Sequence, residues 1–261
     1  MIIDCQPWVN NYISGHIPGA VHAEECMMRM SHFGRPGVLA PTEIVEMSLR
    51  HLGLKAGDPV VVYGADGAIK KVGDGVEQFF FAYALARYGH EDIIMLDGGM
   101  QAWTEAGGQL ESTLPRRLAG DFQAWLRQDL QIEMEELREI KDHGETVLID
   151  TRPKKQYAEQ AYWPKPGHIP GAINIPWTEM VTKENPRLFR PKKELKEIFQ
   201  KNRVEKDKEV LLTCGTGRSA SVAFIALTSL LEYPMVRMYE GSFTEWSAHT
   251  ENTTVKGNQP Y

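Results

Sequence analysis

Short apolar runs, several of them β-branched, recur along the chain at 2–5, 60–63, 93–96, 147–150, 210–212 and 235–239. Their length and composition predict strands buried on both faces. Between them, apolar positions return at helical spacing over 42–52, which a Pro-Thr pair opens, and over 75–88, 132–141 and 191–201. Small and apolar residues over 220–226 predict one more helix soon after the strand at 210–212. Strands alternating with helices predict an α/β fold: parallel β-sheet flanked by helices on both faces.

The pattern is written twice. Gly15-His16-Ile17-Pro18-Gly19-Ala20 recurs as Gly167-His168-Ile169-Pro170-Gly171-Ala172, and Ile3-Asp4-Cys5-Gln6-Pro7 matches Ile149-Asp150-Thr151-Arg152-Pro153. Further on, Val60 to Gly67 matches Val210 to Gly217, and Leu96-Asp97-Gly98-Gly99 with Trp103 matches Tyr239-Glu240-Gly241-Ser242 with Trp246. Landmarks repeated in one order identify a tandem duplication. The expected domains are 1–111 and 129–261. The stretch 112–128 between them, with Pro115, Arg116, Arg117 and Gly120, fits neither repeat and reads as a linker.

Composition narrows the function classes. Apolar residues make up 42% and charged residues 25%, average values that allow cores of normal size. The net charge of −6 argues against nucleic acid or an anionic membrane as partner, while leaving a small anion in a local field open. The three cysteines, Cys5, Cys26 and Cys214, form no Cys-x-x-Cys pair, so neither a disulfide framework nor a zinc site is indicated. No metal or organic cofactor is implied. No apolar run approaches the roughly 20 residues of a membrane span, and no basic-then-apolar leader is present. The expectation is a cytoplasmic protein. A strand directly after Met1 points to a start that is truncated or chosen.

Chemistry concentrates at residues 210–227. A buried strand leads into Cys214-Gly215-Thr216-Gly217-Arg218-Ser219, and a helix follows. Glycines let backbone N–H groups converge, the helix start adds partial positive charge, and Arg218 adds a full one. A thiol facing that field ionises more readily than a free cysteine, whose pKa is about 8.5. A small buried hydrophobe is the bland reading of Cys214, and the flanking glycines and Arg218 favour a reactive thiolate over it. The matching first-half loop has Gly64 in place of Cys214 and an acid, Asp66, where an anion would sit, so that half is expected to be catalytically inactive and to wall the other half's site. His16 and His168 recur in both halves and read as turn scaffolding. Asp150 and Arg152 read as a structural ion pair, with contact to substrate as the alternative.

These residues resemble the tandem-domain rhodaneses, the thiosulfate and 3-mercaptopyruvate sulfurtransferases. The paired Gly-His-Ile-Pro-Gly-Ala turns, the Asp150-x-Arg152 strand end, the 214–219 loop and the Gly-x-x-x-x-Trp segments carry the resemblance, which runs from Ile3 to about Trp246. It implies two rhodanese-like domains, the second active. It also implies a double displacement in which Cys214 takes sulfur from thiosulfate or mercaptopyruvate and passes it to cyanide or a thiol. Gly215, Thr216, Gly217, Arg218 and Ser219 would bind the anionic donor. Two departures stand out: Gln156 occupies a position where the family often has a donor-binding arginine, and Arg218-Ser219 follows a Cys-Gly-Thr-Gly run otherwise similar to the mercaptopyruvate branch. Thiosulfate is the expected donor.

Two rivals come from other classes. A cysteine phosphatase loop places its arginine six positions after the cysteine; that position here is Ala220, and Arg218 is four positions on. A non-catalytic binding module or protein-to-protein sulfur carrier is the other, and it would hold a persulfide on Cys214 for a protein acceptor.

Overall fold

The computed structural model describes residues 1–32, 35–66, 74–159 and 162–261. Gly67, matched to Gly217 in the repeat, lies outside the described residues. The first repeat has strands β1 (Ile2–Asp4), β2 (Val21–His22), β3 (Arg29–His32), β4 (Arg35–Leu39), β5 (Val60–Tyr63) and β6 (Ile93–Met95). Its helices are α1 (Val9–Ser14), α2 (Thr42–His51), α3 (Glu77–Arg87) and α4 (Gly99–Glu105). The second repeat has β7 (Thr146–Asp150), β8 (Ile173–Asn174), β9 (Glu209–Thr213) and β10 (Val236–Met238), with α5 (Met134–Ile140), α6 (Lys154–Ala158), α7 (Lys192–Lys201), α8 (Ala220–Ile225) and α9 (Ser242–Ala248).

Both repeats build the same sheet. The orders are β2-β1-β5-β6 and β8-β7-β9-β10, every neighbour parallel, with Ile3 opposite Val62 in one and Ile149 opposite Leu212 in the other. β3 and β4 form a separate two-stranded ribbon. The buried strand residues meet helices that are themselves apolar. In the first repeat Ile3, Val60 and Val62 pack with Phe80, Phe81 and Leu85 of α3; in the second, Leu148 and Leu211 pack with Phe243 and Trp246 of α9.

Several ends differ from the sequence expectation for local reasons. The helix expected from residue 75 begins at Glu77, because Gly75 sits at φ +92° and the Glu77 carboxylate accepts the amides of Asp74 and Gly75. The helix expected from 132 begins at Met134, because the Ile132 amide is taken by Met238 O at the sheet edge. α8 ends at Ile225 and continues as a π turn over Ala226–Leu230.

The chain groups into two compact units: Met1–Met30, Leu39–Arg127 and Thr182–Phe189 form one, and Ser31–Val38, Gln128–Val181 and Arg190–Tyr261 form the other. Residues 112–127 are therefore counted with the first unit. Gly120 N–H donates to Arg50 O (2.8 Å), Arg50 Nε donates to Phe122 O (2.7 Å), and Phe122 is buried.

Each Gly-His-Ile-Pro-Gly-Ala turn is an internal tie. His16 stacks on Tyr12 at 4.0 Å and His168 on Tyr157 at 3.7 Å, both fully buried. Their Nδ1 atoms face the carbonyls of Tyr12 (2.8 Å) and Tyr157 (3.1 Å), and their Nε2 atoms face Thr113 O (3.2 Å) and Gln259 O (3.0 Å). Each ring thus joins its turn to the segment that leaves the repeat.

Candidate active site

Cys214 stands at the carboxyl end of β9, a central strand, which is where open parallel sheets place their ligand sites. Thr151 N–H donates to Thr213 O (2.9 Å) and extends the β7–β9 ladder to the edge of the loop. Cys214 is a free cysteine, 1% exposed.

The loop is held by residues beyond β10. Ser242 Oγ accepts the amides of Cys214 (3.2 Å) and Gly217 (2.9 Å), donates to Tyr239 O (2.9 Å), and lies 3.9 Å from Cys214 Sγ. Phe243 N–H donates to Cys214 O (3.0 Å), while Thr244 N–H (3.0 Å) and Oγ1 (2.7 Å) both donate to Gly215 O. Thr244 Oγ1 also accepts Trp163 Nε1–H (2.8 Å). The first turn of α9 thereby fixes the carbonyls of Cys214 and Gly215.

Two glycines are required by this packing. Gly217 has φ +74°, and a Cβ there would lie 2.5 Å from Glu240 O. A Cβ on Gly215 would lie 2.7 Å from the Trp163 ring. The Gly217 amide donates to Ser242 Oγ. Thr216, Arg218 and Ser219 are half-buried. Ser219 Oγ lies 3.4 Å from Thr151 Oγ1, and Arg218 O accepts Ser221 Oγ (2.7 Å) in the first turn of α8.

Asp150 and Arg152 lie behind the loop. Arg152 is 1% exposed; its Nε and Nη2 grip the Asp150 carboxylate at 2.6–3.0 Å, and Nη2 also donates to Gly167 O (2.9 Å). Its guanidinium lies 3.9 Å from the centre of the Phe243 ring and 4.9 Å from that of Trp163, while Nη1 is buried with no hydrogen-bond partner among the described residues. The pair meets the Cys214 loop through the Phe243 and Trp163 rings, whose residues bond Cys214 O and, by way of Thr244, Gly215 O. In the first repeat Gln6 does the same work: its amide groups bond Asp4 (2.8 Å each) and Gly15 O (3.2 Å). Gln156, in α6, is half-buried.

Sequence reasoning finds the loop and the Asp150–Arg152 pair but passes over Ser242, Thr244 and Trp163. The available signal is the repeat itself. Ser242 (φ +52°) replaces Gly99 (φ +58°) at a left-handed position, and the hydroxyl appears only in the half whose loop carries a cysteine, Cys214.

No helix among the described residues is long and apolar enough to cross a membrane. The rhodanese-like domain model matches residues 1–106 and again 133–249. A Synechococcus elongatus protein named "Putative thiosulfate sulfurtransferase" is 34% identical over 91% of this chain and 74% of its own length. The 3-mercaptopyruvate sulfurtransferase of Escherichia coli is 28% identical over 92% of this chain and 83% of its own. Among solved structures, an EanB variant in complex with ergothioneine superposes with a TM-score of 0.84 at 25% identity; 98% of this chain covers 64% of that one, so the chain spans less than two thirds of that neighbour. With one sheet topology built twice, a cysteine loop at the end of a central strand, and the family model matched in both halves, the chain belongs to the rhodanese-like domain family as a tandem of two such domains.

Proposed function

We propose that this chain is a sulfurtransferase that works through a persulfide on Cys214, with thiosulfate as donor and cyanide or a thiol as acceptor. The Cys214 thiolate attacks the outer sulfur of thiosulfate. The donor's S–S bond breaks, sulfite leaves with the electron pair, and the outer sulfur stays on Cys214 as a persulfide anion. The acceptor then attacks that terminal sulfur, forming thiocyanate or a new persulfide and returning the Cys214 thiolate. No proton or redox partner is needed beyond these reactants.

The observation that carries the reading is the Cys214 loop, held at Cys214, Gly215 and Gly217 by Ser242 and Thr244, so that the dipoles of this turn are fixed before charge develops on sulfur. In this proposal the Gly215 and Ser219 amides and the Thr216 and Ser219 hydroxyls face the sulfur anion. Arg218 supplies positive charge for the donor and the leaving sulfite. Asp150 and Arg152 support the loop from behind through Phe243. Domain 1–111 has Gly64 at the cysteine position and so no nucleophile in that loop, 112–128 connects, and 129–261 is the catalytic domain.

Mercaptopyruvate is the second reading, favoured by the Cys-Gly-Thr-Gly run and by the Escherichia coli relative. Initial rates of thiocyanate formation, measured with each donor on wild type and Cys214→Ser, decide between them. A higher kcat/KM with thiosulfate, lost in Cys214→Ser, supports the proposal; a higher value with mercaptopyruvate reverses the donor. Turnover with neither would leave a protein-directed sulfur carrier.

A further inference from the structure

In the first repeat the position of Cys214 is held by Gly64, and what lies against it is an arginine. Arg187 is 3% exposed. Its Nη1 pairs with Asp66 Oδ1 at 2.5 Å, and its Nη2 donates to Ala65 O (3.0 Å) and lies 3.8 Å from Glu77 Oε2. Its Nε is buried, without a hydrogen-bond partner among the described residues, and a Cβ on Gly64 would come within 3.2 Å of it. The main chain is fastened as firmly. Arg187 O accepts Gly98 N–H (2.9 Å) and Gln78 Nε2 (3.2 Å), while Gln78 Oε1 accepts Gly64 N–H (2.8 Å). Asn185 Oδ1 takes the Arg187 amide (3.0 Å), and its Nδ2 donates to Gly98 O (2.8 Å).

The polarity is the reverse of the second repeat's loop. There a thiol and Arg218 follow the strand; here two carboxylates and a carbonyl surround a planar cation. Each Nη atom has its own oxygen partner, Asp66 Oδ1 for Nη1 and Ala65 O for Nη2, an arrangement a fork can fill and a point charge cannot. The absence of a side chain at Gly64 makes the room.

We propose that the Gly64–Asp66 loop, with Glu77 and Gln78, is a guanidinium-binding site whose built-in ligand is Arg187, and that this occupancy fastens the Thr182–Phe189 segment to the first unit. Arg187 belongs by sequence to the second repeat, so a loop with no nucleophile has become a receptor for the other repeat's side chain.

The test uses the full chain and does not depend on sulfur transfer. Arg187→Ala should lower Tm by about 6 °C or more, because it removes the bonds to Ala65 O and to the half-exposed Asp66 and leaves the buried Glu77 carboxylate without Arg187 beside it. Ethylguanidinium at near-saturating millimolar concentration should return about 3 °C to Arg187→Ala. It should do nothing for wild type, whose site is full, or for Asp66→Asn/Arg187→Ala. Ethylammonium at equal ionic strength should not substitute. Hydrogen exchange at the Gly98 and Phe189 amides should quicken at least about tenfold in Arg187→Ala and slow again with ethylguanidinium, since these amides bond Arg187 O and Asp97 Oδ1 (2.9 Å each). Rescue by ethylammonium equal to that by ethylguanidinium, or no rescue at all, would overturn the proposal. Should Arg187→Ala not fold, Arg187→Lys decides: a Tm equal to wild type contradicts a guanidinium site, and a clear loss supports it.

Discussion

Ser242 Oγ lies 3.9 Å from Cys214 Sγ and accepts the amides of both Cys214 and Gly217, so one hydroxyl sets both ends of the Cys214–Gly217 turn. Removing it leaves two buried amides without their acceptor, at a cost of about 1–3 kcal/mol. Ser242→Ala should lower kcat about 10-fold to 100-fold with a smaller change in KM. Ser242→Gly, the first repeat's residue, should be about 1 kcal/mol more stable than Ser242→Ala because Ser242 is left-handed at φ +52°, yet no more active. Thermal unfolding and steady-state thiocyanate formation on the pair separate the two effects.

Gly217→Ala places a methyl 2.5 Å from Glu240 O at a left-handed φ, and backbone cannot step aside as a side chain would. The loss should be about 2–4 kcal/mol, accompanied by near-complete loss of turnover. Gly215→Ala meets the Trp163 ring instead, so it should keep more stability and shift tryptophan emission to longer wavelength as the ring is pushed out. Urea unfolding and emission spectra of the two variants read these outcomes directly.

Arg152→Ala strands Asp150, fully buried, without its cation and should cost about 3–5 kcal/mol. Arg152→Gln borrows the solution that Gln6 supplies to Asp4 and should recover part of that loss. If Arg152 acts only from behind the loop, KM for the donor in Arg152→Gln stays within about twofold of wild type, whereas direct donor binding would raise it about tenfold or more.

Burial holds His168 and His90 below the usual histidine range. Each folded value is under the unfolded one, about 6.5, so the unfolded chain binds more protons between the two. Their contribution to stability is complete above the unfolded value and is lost as pH falls through about 6.5 toward the folded values. The urea midpoint should be level from pH 7.5 to 8.5 and decline below about 6.5, with a shallower decline in a His90→Gln/His168→Gln variant.

The sheets are legible in the sequence because central strands carry unbroken apolar runs such as 60–63 and 210–212, and because the repeat shows each landmark twice. The edge strands β2 and β8 are two residues long and carry no period to read. The loop's residues are contiguous, so Cys214 to Ser219 is found at once. Ser242 acts across 28 positions through backbone amides, which leave no trace in a side-chain pattern. Its difference from Gly99 is visible; that the hydroxyl meets the Cys214 loop follows only from β9 and β10 lying side by side. Asp66 is legible as an acid two positions past Gly64 in the loop that matches the Cys214 loop, but its partner Arg187 is 121 positions away in a segment with no periodicity of its own.

The central claim is that Cys214 carries sulfur. Intact mass after incubation with thiosulfate, and separately with mercaptopyruvate, on wild type and Cys214→Ser tests it most directly. The account predicts a gain of one sulfur atom on wild type with thiosulfate, removed by cyanide and absent in Cys214→Ser. No gain with either donor, or an equal gain in Cys214→Ser, would contradict it.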